Sequence, residues 1–289
     1  METTITPRSL GRPGFLSDAR AFLAVVRREW TIFTRYPSWI IALFIWPLIF
    51  PMMYILTARA LSGPDGSGLA VFIATTGATD YIGYIIVGAT VWMWQNIVLW
   101  GMGFALKNDM DSGVLESNWL APISRLLILV GRTLTSMLTT TITSIVMLVI
   151  AGALFGFKPT GSAFAAILTA IPMLIGLYGF GFAFAGTVLL MREANTLIDV
   201  GSFLVQGFSG TNFPVQSLPY WLIPISLMLP LTYGLDAVRG LLLKTNTLLP
   251  IKVEIIILVV FMFVMLWIGA QVFYRIERRV RTLGTLGQH

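Results

Sequence analysis

The chain has 289 residues, of which 56% are hydrophobic and only 11% charged, and its formal net charge is +6. An ordinary soluble domain carries about 25% charged residues, so the composition excludes a water-solvated fold and fits a chain whose apolar faces are solvated by lipid. There is no cysteine, which excludes disulfides, thiolate catalysis and cysteine metal sites, and the single histidine is the last residue, His289.

Residues 1–16, with Pro7, Gly11, Pro13 and Gly14, read as a flexible tail. Residues 1–37 are arginine-rich and lack the apolar core and small-residue cleavage site of a signal peptide. Residues 17–36 read as an amphipathic helix. At 100° per residue Phe22, Val25, Val26, Trp30 and Phe33 share one side, and Arg20, Arg27, Arg28 and Arg35 the other. Such a helix is expected in the membrane interface, arginines toward anionic headgroups, with Pro37 ending it. Glu29 lies within the apolar face. It either pairs with a nearby arginine or contacts a cytoplasmic partner.

A bilayer core needs roughly 20 apolar helical residues. The runs predict an all-α membrane protein with six spans over 38–274. The first is Ser38–Ala58, the second Tyr81–Leu106, the third Leu126–Ala153 and the fourth Phe164–Met191. A weaker fifth, Leu197–Phe213, contains Gly201, Gln206, Gly207 and Gly210, and the sixth is Ile255–Tyr274. Between the last two, region 214–243 holds the pieces Trp221–Leu231 and Leu235–Leu243, punctuated by Pro219, Pro224 and Pro230. Each is too short to cross, so they read as a re-entrant helical pair shielded by protein or water. Residues 275–289 form a basic tail.

Lysine and arginine set the orientation. With the N-terminus inside, the inner segments hold Arg8, Arg12, Arg20, Arg27, Arg28, Arg35, Lys107, Arg125, Arg132, Arg192 and the tail arginines 275, 278, 279 and 281. The outer segments hold Arg59, Lys158, Arg239, Lys244 and Lys252. Both termini are therefore expected in the cytoplasm of a bacterial-type cell (inner) membrane protein. This is the pattern of membrane orientation, not of a nucleic-acid-reading face. No internal repeat is evident, which speaks against an inverted-repeat transporter.

No phosphate-cradling Gly-x-x-x-x-Gly-Lys-Ser/Thr motif is present, so any ATP-driven role borrows its ATPase from another chain. Intramembrane carboxylates of the kind ion-coupled pumps use are almost absent, since Asp80, Glu193, Asp199 and Glu254 sit near span ends. Gln95 and Asn96 near the middle of the second span either hydrogen-bond a neighbouring helix or line a pathway. The threonines 139, 140, 141 and 143 have the same interhelical expectation. The small residues Gly176, Gly179, Gly181, Ala183, Ala185 and Gly186 predict close helix packing. In the inner loop 107–125, Ser112 is expected to cap a short helix closed by Pro122, with Leu115, Trp119 and Leu120 as an apolar edge beside Glu116. Such a helix docks into a partner's groove or rests on headgroups.

Two segments carry a family resemblance. Gly113-Val-Leu-Glu-Ser-Asn-Trp-Leu-Ala-Pro-Ile-Ser-Arg125 resembles the cytoplasmic loop of type-2 ATP-binding-cassette (ABC) exporter permeases, whose usual form is Gly-Thr-Leu-Glu, a few residues, then Thr-Pro-Ile/Val-Ser-Arg. Ser209-Gly-Thr-Asn-Phe-Pro-Val-Gln-Ser-Leu-Pro-Tyr-Trp-Leu222, continuing to Leu229-Pro-Leu-Thr-Tyr-Gly-Leu-Asp-Ala-Val-Arg239, is similar to that family's segment between spans 5 and 6. Val114 and Ala121 stand where the family usually has threonine.

The resemblance implies a half-transporter without enzymatic activity of its own. It would pair as a homodimer or with a related permease. Two cytoplasmic ATPase subunits would carry the ATP and Mg, and the permease would export a drug, lipid, polyketide or lipid-linked glycan. Leu115, Glu116 and Trp119, with Glu29, are the expected ATPase-coupling residues. Tyr233, Asp236 and Arg239 are expected to brace the outer re-entrant turn, the last two as an i,i+3 ion pair. No metal site is expected. The alternatives are a membrane enzyme acting on lipids, which would need a surface cluster of His, Asp or Glu, and a non-transporting scaffold.

Overall fold

The computed structural model describes residues 15–36, 52–57, 59–60, 68–77, 80–113, 124–190 and 194–283, with single positions at 38, 41, 45 and 49. Among these residues the regular structure is entirely helical. In chain order the helices are Phe15–Arg35 (α1), Gly68–Thr76 (α2), Tyr81–Asp111 (α3), Arg125–Phe155 (α4), Ala163–Val188 (α5), Ala194–Phe208 (α6), Ile223–Leu227 (α7), Pro230–Leu243 (α8) and Ile251–Leu283 (α9). The expected tail 1–16 and most of the first expected span, 38–58, lie outside the described residues.

Four of these helices are long and apolar enough to cross a membrane: α3, α4, α5 and α9. The 31 residues of α3 extend about 46 Å, more than the ~30 Å hydrocarbon core. Their outward faces are strongly apolar. Phe164 is 77% exposed, Trp267 67% and Val149 66%. Patches of this kind are stable against lipid, not water.

Local chemistry sets the helix ends. Asp80 caps α3 by accepting from Gly83 N at 2.9 Å, and Ser162 caps α5 through Ala165 N at 3.3 Å. Gly156 ends α4 in the left-handed conformation, φ 70°, which costs glycine nothing. The second span was expected to stop at Leu106. The helix instead continues to Asp111, where Lys107 and Asp111 form an i,i+4 pair at 2.7 Å. Ser112 therefore closes this helix, its N–H donating to Asn108 O at 3.0 Å; the short helix expected between it and Pro122 lies outside the described residues.

The core is built on α3 and α5. Val98, Leu99 and Met102 of α3 and Ala185 and Val188 of α5 are fully buried, with Ile198 of α6, Leu231 of α8 and Phe273 of α9 packed onto them. The most extensive helix pair is α5 with α9. As the small-residue run predicts, Gly176, Gly179 and Gly186 face Met262, Met265 and Phe273. A Cβ on Gly269 would overlap the Gly179 carbonyl. Gly181 of the same run faces Met102 and Val98 of α3. In lipid, where the hydrophobic effect gives no net pull between helices, such close backbone packing is what holds them together.

The threonine cluster departs from expectation. Thr139, Thr141 and Thr143 donate to carbonyls of their own helix, at Ser136, Met137 and Thr139. A threonine hydroxyl reaches the preceding turn of its own helix without any neighbour, so local geometry satisfies it first. Nearby interhelical bonds instead include Trp94 Nε1 to Ser144 Oγ at 3.2 Å and the Thr133–Tyr178 hydroxyl pair at 3.1 Å.

Gly269→Leu should destabilise the fold by about 1–3 kcal/mol or more, the range for overpacking a close contact. Gly207→Ala, where a Cβ meets nothing within 4 Å, should leave the unfolding midpoint within measurement error. Reversible unfolding in mixed micelles compares the two.

Candidate functional site

The inner loop leaves the bundle at the end of α3 and returns at the start of α4, and an ion cluster ties its two arms together. Arg132, two turns into α4, donates to Asp109 Oδ2 of α3 at 2.6 Å and to the Ala105 carbonyl at 3.2 Å. Its Nε lies 3.5 Å from Glu29 Oε1 of α1. Arg132 is 13% exposed and Asp109 8%. An arginine inside an apolar run is costly without partners. Here two carboxylates and a carbonyl compensate it, and three helices are bound in the process.

Glu29 thus resolves toward arginine pairing, with Arg132 and, more loosely, with the exposed Arg28 at 3.8 Å. Its carboxylate points inward because the apolar face of α1 packs on α4. Phe22 and Val25 cover Gly131, and Thr135 Oγ1 donates to the Val26 carbonyl at 3.4 Å. Beside the cluster is a cavity of about 180 Å³, lined by Glu29, Ile32, Phe33, Tyr36, Arg132, Thr135, Ser136 and Thr139.

The last helix joins the same end of the bundle. Arg125 Nε lies 3.4 Å from Glu277 Oε1, and the Ser124 and Tyr274 hydroxyls are 3.5 Å apart. The base of the loop is therefore linked to α1, α3, α4 and α9. The expected coupling residues Leu115, Glu116 and Trp119 lie outside the described residues.

A second polar hub occupies the opposite end. Arg239 of α8 is 2% exposed, and its guanidinium sits 3.5 Å from the Tyr84 ring centroid. It donates to the Tyr84 carbonyl from Nε at 3.2 Å and Nη2 at 3.1 Å, to Gly210 O at 2.7 Å and to Thr211 O at 2.6 Å. A Cβ on Gly88 would overlap the Thr211 carbonyl and the guanidinium, so glycine is what lets them approach α3.

The expected Asp236–Arg239 ion pair is replaced. The fork of Arg239 is engaged by carbonyls, while Asp236 accepts from Leu248 N at 2.6 Å. Carbonyls left bare where the chain emerges from α6 need donors, and Arg239 supplies several at once. Tyr233 is half-buried beside the core cluster. The same end is closed by Gly161 N and Ser162 N donating to the Leu242 and Leu241 carbonyls, both at 2.9 Å, and by Asn246 N donating to Thr76 O at 2.8 Å.

Gln95 and Asn96 lie between the hubs. Gln95 is fully buried and donates from Nε2 to the Ser202 carbonyl of α6 at 3.3 Å, the interhelical role foreseen for it. Asn96 is half-buried, and its Oδ1 has no donor among the described residues. Among the described residues, no three His, Cys, Asp or Glu side chains cluster so as to hold a metal ion.

Arg132, Asp109 and Glu277 were not singled out from sequence. The signal for Arg132 was present, since an arginine seven residues into an apolar span demands a carboxylate nearby. Which carboxylate answers depends on the packing of α3 against α4.

The family model described as ABC-2 type transporter matches residues 20–243. This chain belongs to that family. Two curated relatives, from Mycobacterium tuberculosis strains CDC 1551 / Oshkosh and ATCC 25618 / H37Rv, are each called a probable doxorubicin resistance ABC transporter permease protein DrrC. Each is 24% identical over 256 residues, covering 86% of this chain and 87% of the relative. The chain is a multi-pass transmembrane subunit of an ABC transporter, not an enzyme on its own, and works with ATPase subunits.

Arg132→Gln should cost about 3–5 kcal/mol, the range for removing one partner of a buried ion pair. In a double-mutant cycle with Asp109→Asn, the pair should be less costly than the sum by about 0.5–3 kcal/mol. Unfolding free energies of the four proteins give both values.

Proposed function

We propose that the chain is the membrane half of an ATP-driven exporter, with six spans and both ends in the cytoplasm. The observation that carries this reading is the Glu29–Arg132–Asp109 cluster. It joins the interfacial helix to both arms of the 107–125 loop, where a cytoplasmic motor would push. Two ATPase subunits holding ATP and Mg press on the loop through Leu115, Glu116 and Trp119. Glu29 acts behind them, carrying the displacement to α1 through Arg132. Two copies, or this chain and a related permease, form the pathway, with Asn96 on its lining.

The span count is supported by the four long helices, the apolar run 38–58 and α6. The 15 residues of α6 reach about 23 Å, and the turn after them continues toward the same end. The residues that follow α6 bond Arg239, and Leu248, just before α9, bonds Asp236, so both ends of the 209–250 segment meet α8. This supports a re-entrant α7–α8 pair braced by Tyr233, Asp236 and Arg239. The basic excess at the Arg132 end supports an inside location in a bacterial-type cell membrane. The cargo is an amphiphile, and the doxorubicin resistance in the relatives' name favours a drug-like one over a lipid-linked glycan.

Because the chain has no cysteine, a single introduced thiol is a clean probe. Lys252→Cys should react with a membrane-impermeant maleimide from outside intact cells, and Arg279→Cys only after the membrane is opened. The reverse pattern would refute the orientation. Glu116→Cys should cross-link to the ATPase, and Glu116→Ala should lower substrate-stimulated ATP hydrolysis at least tenfold, ~1.4 kcal/mol of coupling. Unchanged assembly and unchanged stimulation would remove Glu116 from the coupling role.

A further inference from the structure

Asp236 of α8 and Glu254, in the first turn of α9, grip the short connection between their helices. Leu248 N donates to Asp236 Oδ2 at 2.6 Å, and Leu249 N donates to Glu254 Oε1 at 3.1 Å. Glu254 is fully buried and Asp236 half-buried. The two acids thus hold consecutive backbone N–H groups, which brings their carboxyl groups together at one connection. Ionised carboxylates only accept, so a proton on one of them is what would let the pair share a hydrogen bond. Among the described residues Glu254 Oε2 has no hydrogen-bond partner, and a buried carboxylate oxygen without a donor is costly to ionise.

The surroundings offer no substitute for that proton. Among the described residues no cationic side chain makes an ion pair within 4 Å of either acid. Arg239, one turn beyond Asp236, attracts it electrostatically but directs its donors to the carbonyls of Tyr84, Gly210 and Thr211. The other titratable groups acting here are Tyr233 on α8 and Tyr84 on α3, while Lys244 and Lys252 flank the connection. From α5 the packed groups include Met173 and Ala166, which do not titrate. Two like charges in contact at such a site do not both ionise readily.

We propose that Asp236 and Glu254 form a binding site for one proton, which latches the 244–250 connection and the start of α9 onto α8. With the proton in place, each acid keeps its backbone N–H and the two hold each other. When it leaves, two adjacent anions repel and the connection is released. The folded site holds a proton that separated carboxylates have already lost, so the latch weakens as pH rises and strengthens as it falls. The latch itself needs no ATPase. Only its exposure to the outside pH rests on the orientation proposed above.

The test uses the full chain in lipid nanodiscs. Infrared difference spectra between acidic and alkaline pH should show a protonated carboxylic acid band that Glu254→Gln and Asp236→Asn each remove. Amide exchange at Leu248 and Leu249, corrected for the intrinsic effect of pH, should lose protection by up to about tenfold per pH unit, the slope for one proton. Glu254→Gln supplies a permanent donor, so its protection should stay high at every pH, whereas Glu254→Ala should be unprotected throughout. Wild-type protection independent of pH, or the same slope in Glu254→Gln, overturns the latch. If neither amide variant folds, the wild-type spectrum decides, and absence of the acid band overturns it. In sealed vesicles, a latch that follows the inner pH would keep the site and reject only the orientation.

Discussion

The contact between Arg132 and Asp109 organises the end of the bundle from which the 107–125 loop leaves. It costs little to place a charge at a water-facing loop and a great deal to place one inside an apolar span. Once Arg132 is there, α3 must bring Asp109 alongside, and α1 must turn Glu29 inward. Helix α1, the two arms of the loop and, through Arg125 and Glu277, the last helix then become one mechanical unit. Pulling on any part of that unit without the others would strand a charge in a low-dielectric setting, which is the expensive outcome.

The other end uses a different device. Among the described residues Arg239 makes no ion pair; it gathers carbonyls from α3 and from the turn after α6 into one guanidinium fork. Lysine has the charge but not the planar fork. The arrangement leaves Asp236 free to hold the connection into α9. The two ends thus differ in kind. One is a network of opposite charges between helices. The other is a buried cation that satisfies irregular backbone within the fold.

The all-helical, membrane-spanning character was legible because it rests on composition and run length, which survive any packing. The family followed from two short polar segments, 113–125 and 209–239, embedded among runs that carry no such information. The glycine run in α5 was also legible, since small residues on one face have few other uses in lipid. Partner choice was not. The sequence places Asp236 and Arg239 one turn apart, and the helical rule pairs them. The fold instead presents Arg239 with unsatisfied carbonyls and Asp236 with backbone N–H groups. The threonines show the same limit, since a hydroxyl satisfied within its own helix looks in sequence like one that reaches a neighbour. Helix ends failed for a related reason, because the polar stretch after Leu106 reads as a loop until Lys107, Asp109 and Asp111 find their partners.

One helix is gripped at both ends, and this bears on how a push at the loop reaches the far side. Asp109, near the end of α3, belongs to the Arg132 cluster, while Tyr84 and Gly88, near its start, belong to the Arg239 hub. The 25 residue steps from Tyr84 to Asp109 rise about 38 Å as a helix. Between the two hubs α3 is uninterrupted, with Gln95 tied to α6 midway. A continuous helix transmits tilt and translation as a rod, because bending it breaks hydrogen bonds that lipid cannot replace. No chain of side-chain rearrangements through the apolar core is then needed. Displacement of the loop base moves Asp109, and the same rigid helix moves the carbonyl of Tyr84 against Arg239. The segment around Arg239 is tied to this motion because its cation is bonded to backbone on α3 and on the turn after α6, and a rotation of one against the other changes several of its bonds together.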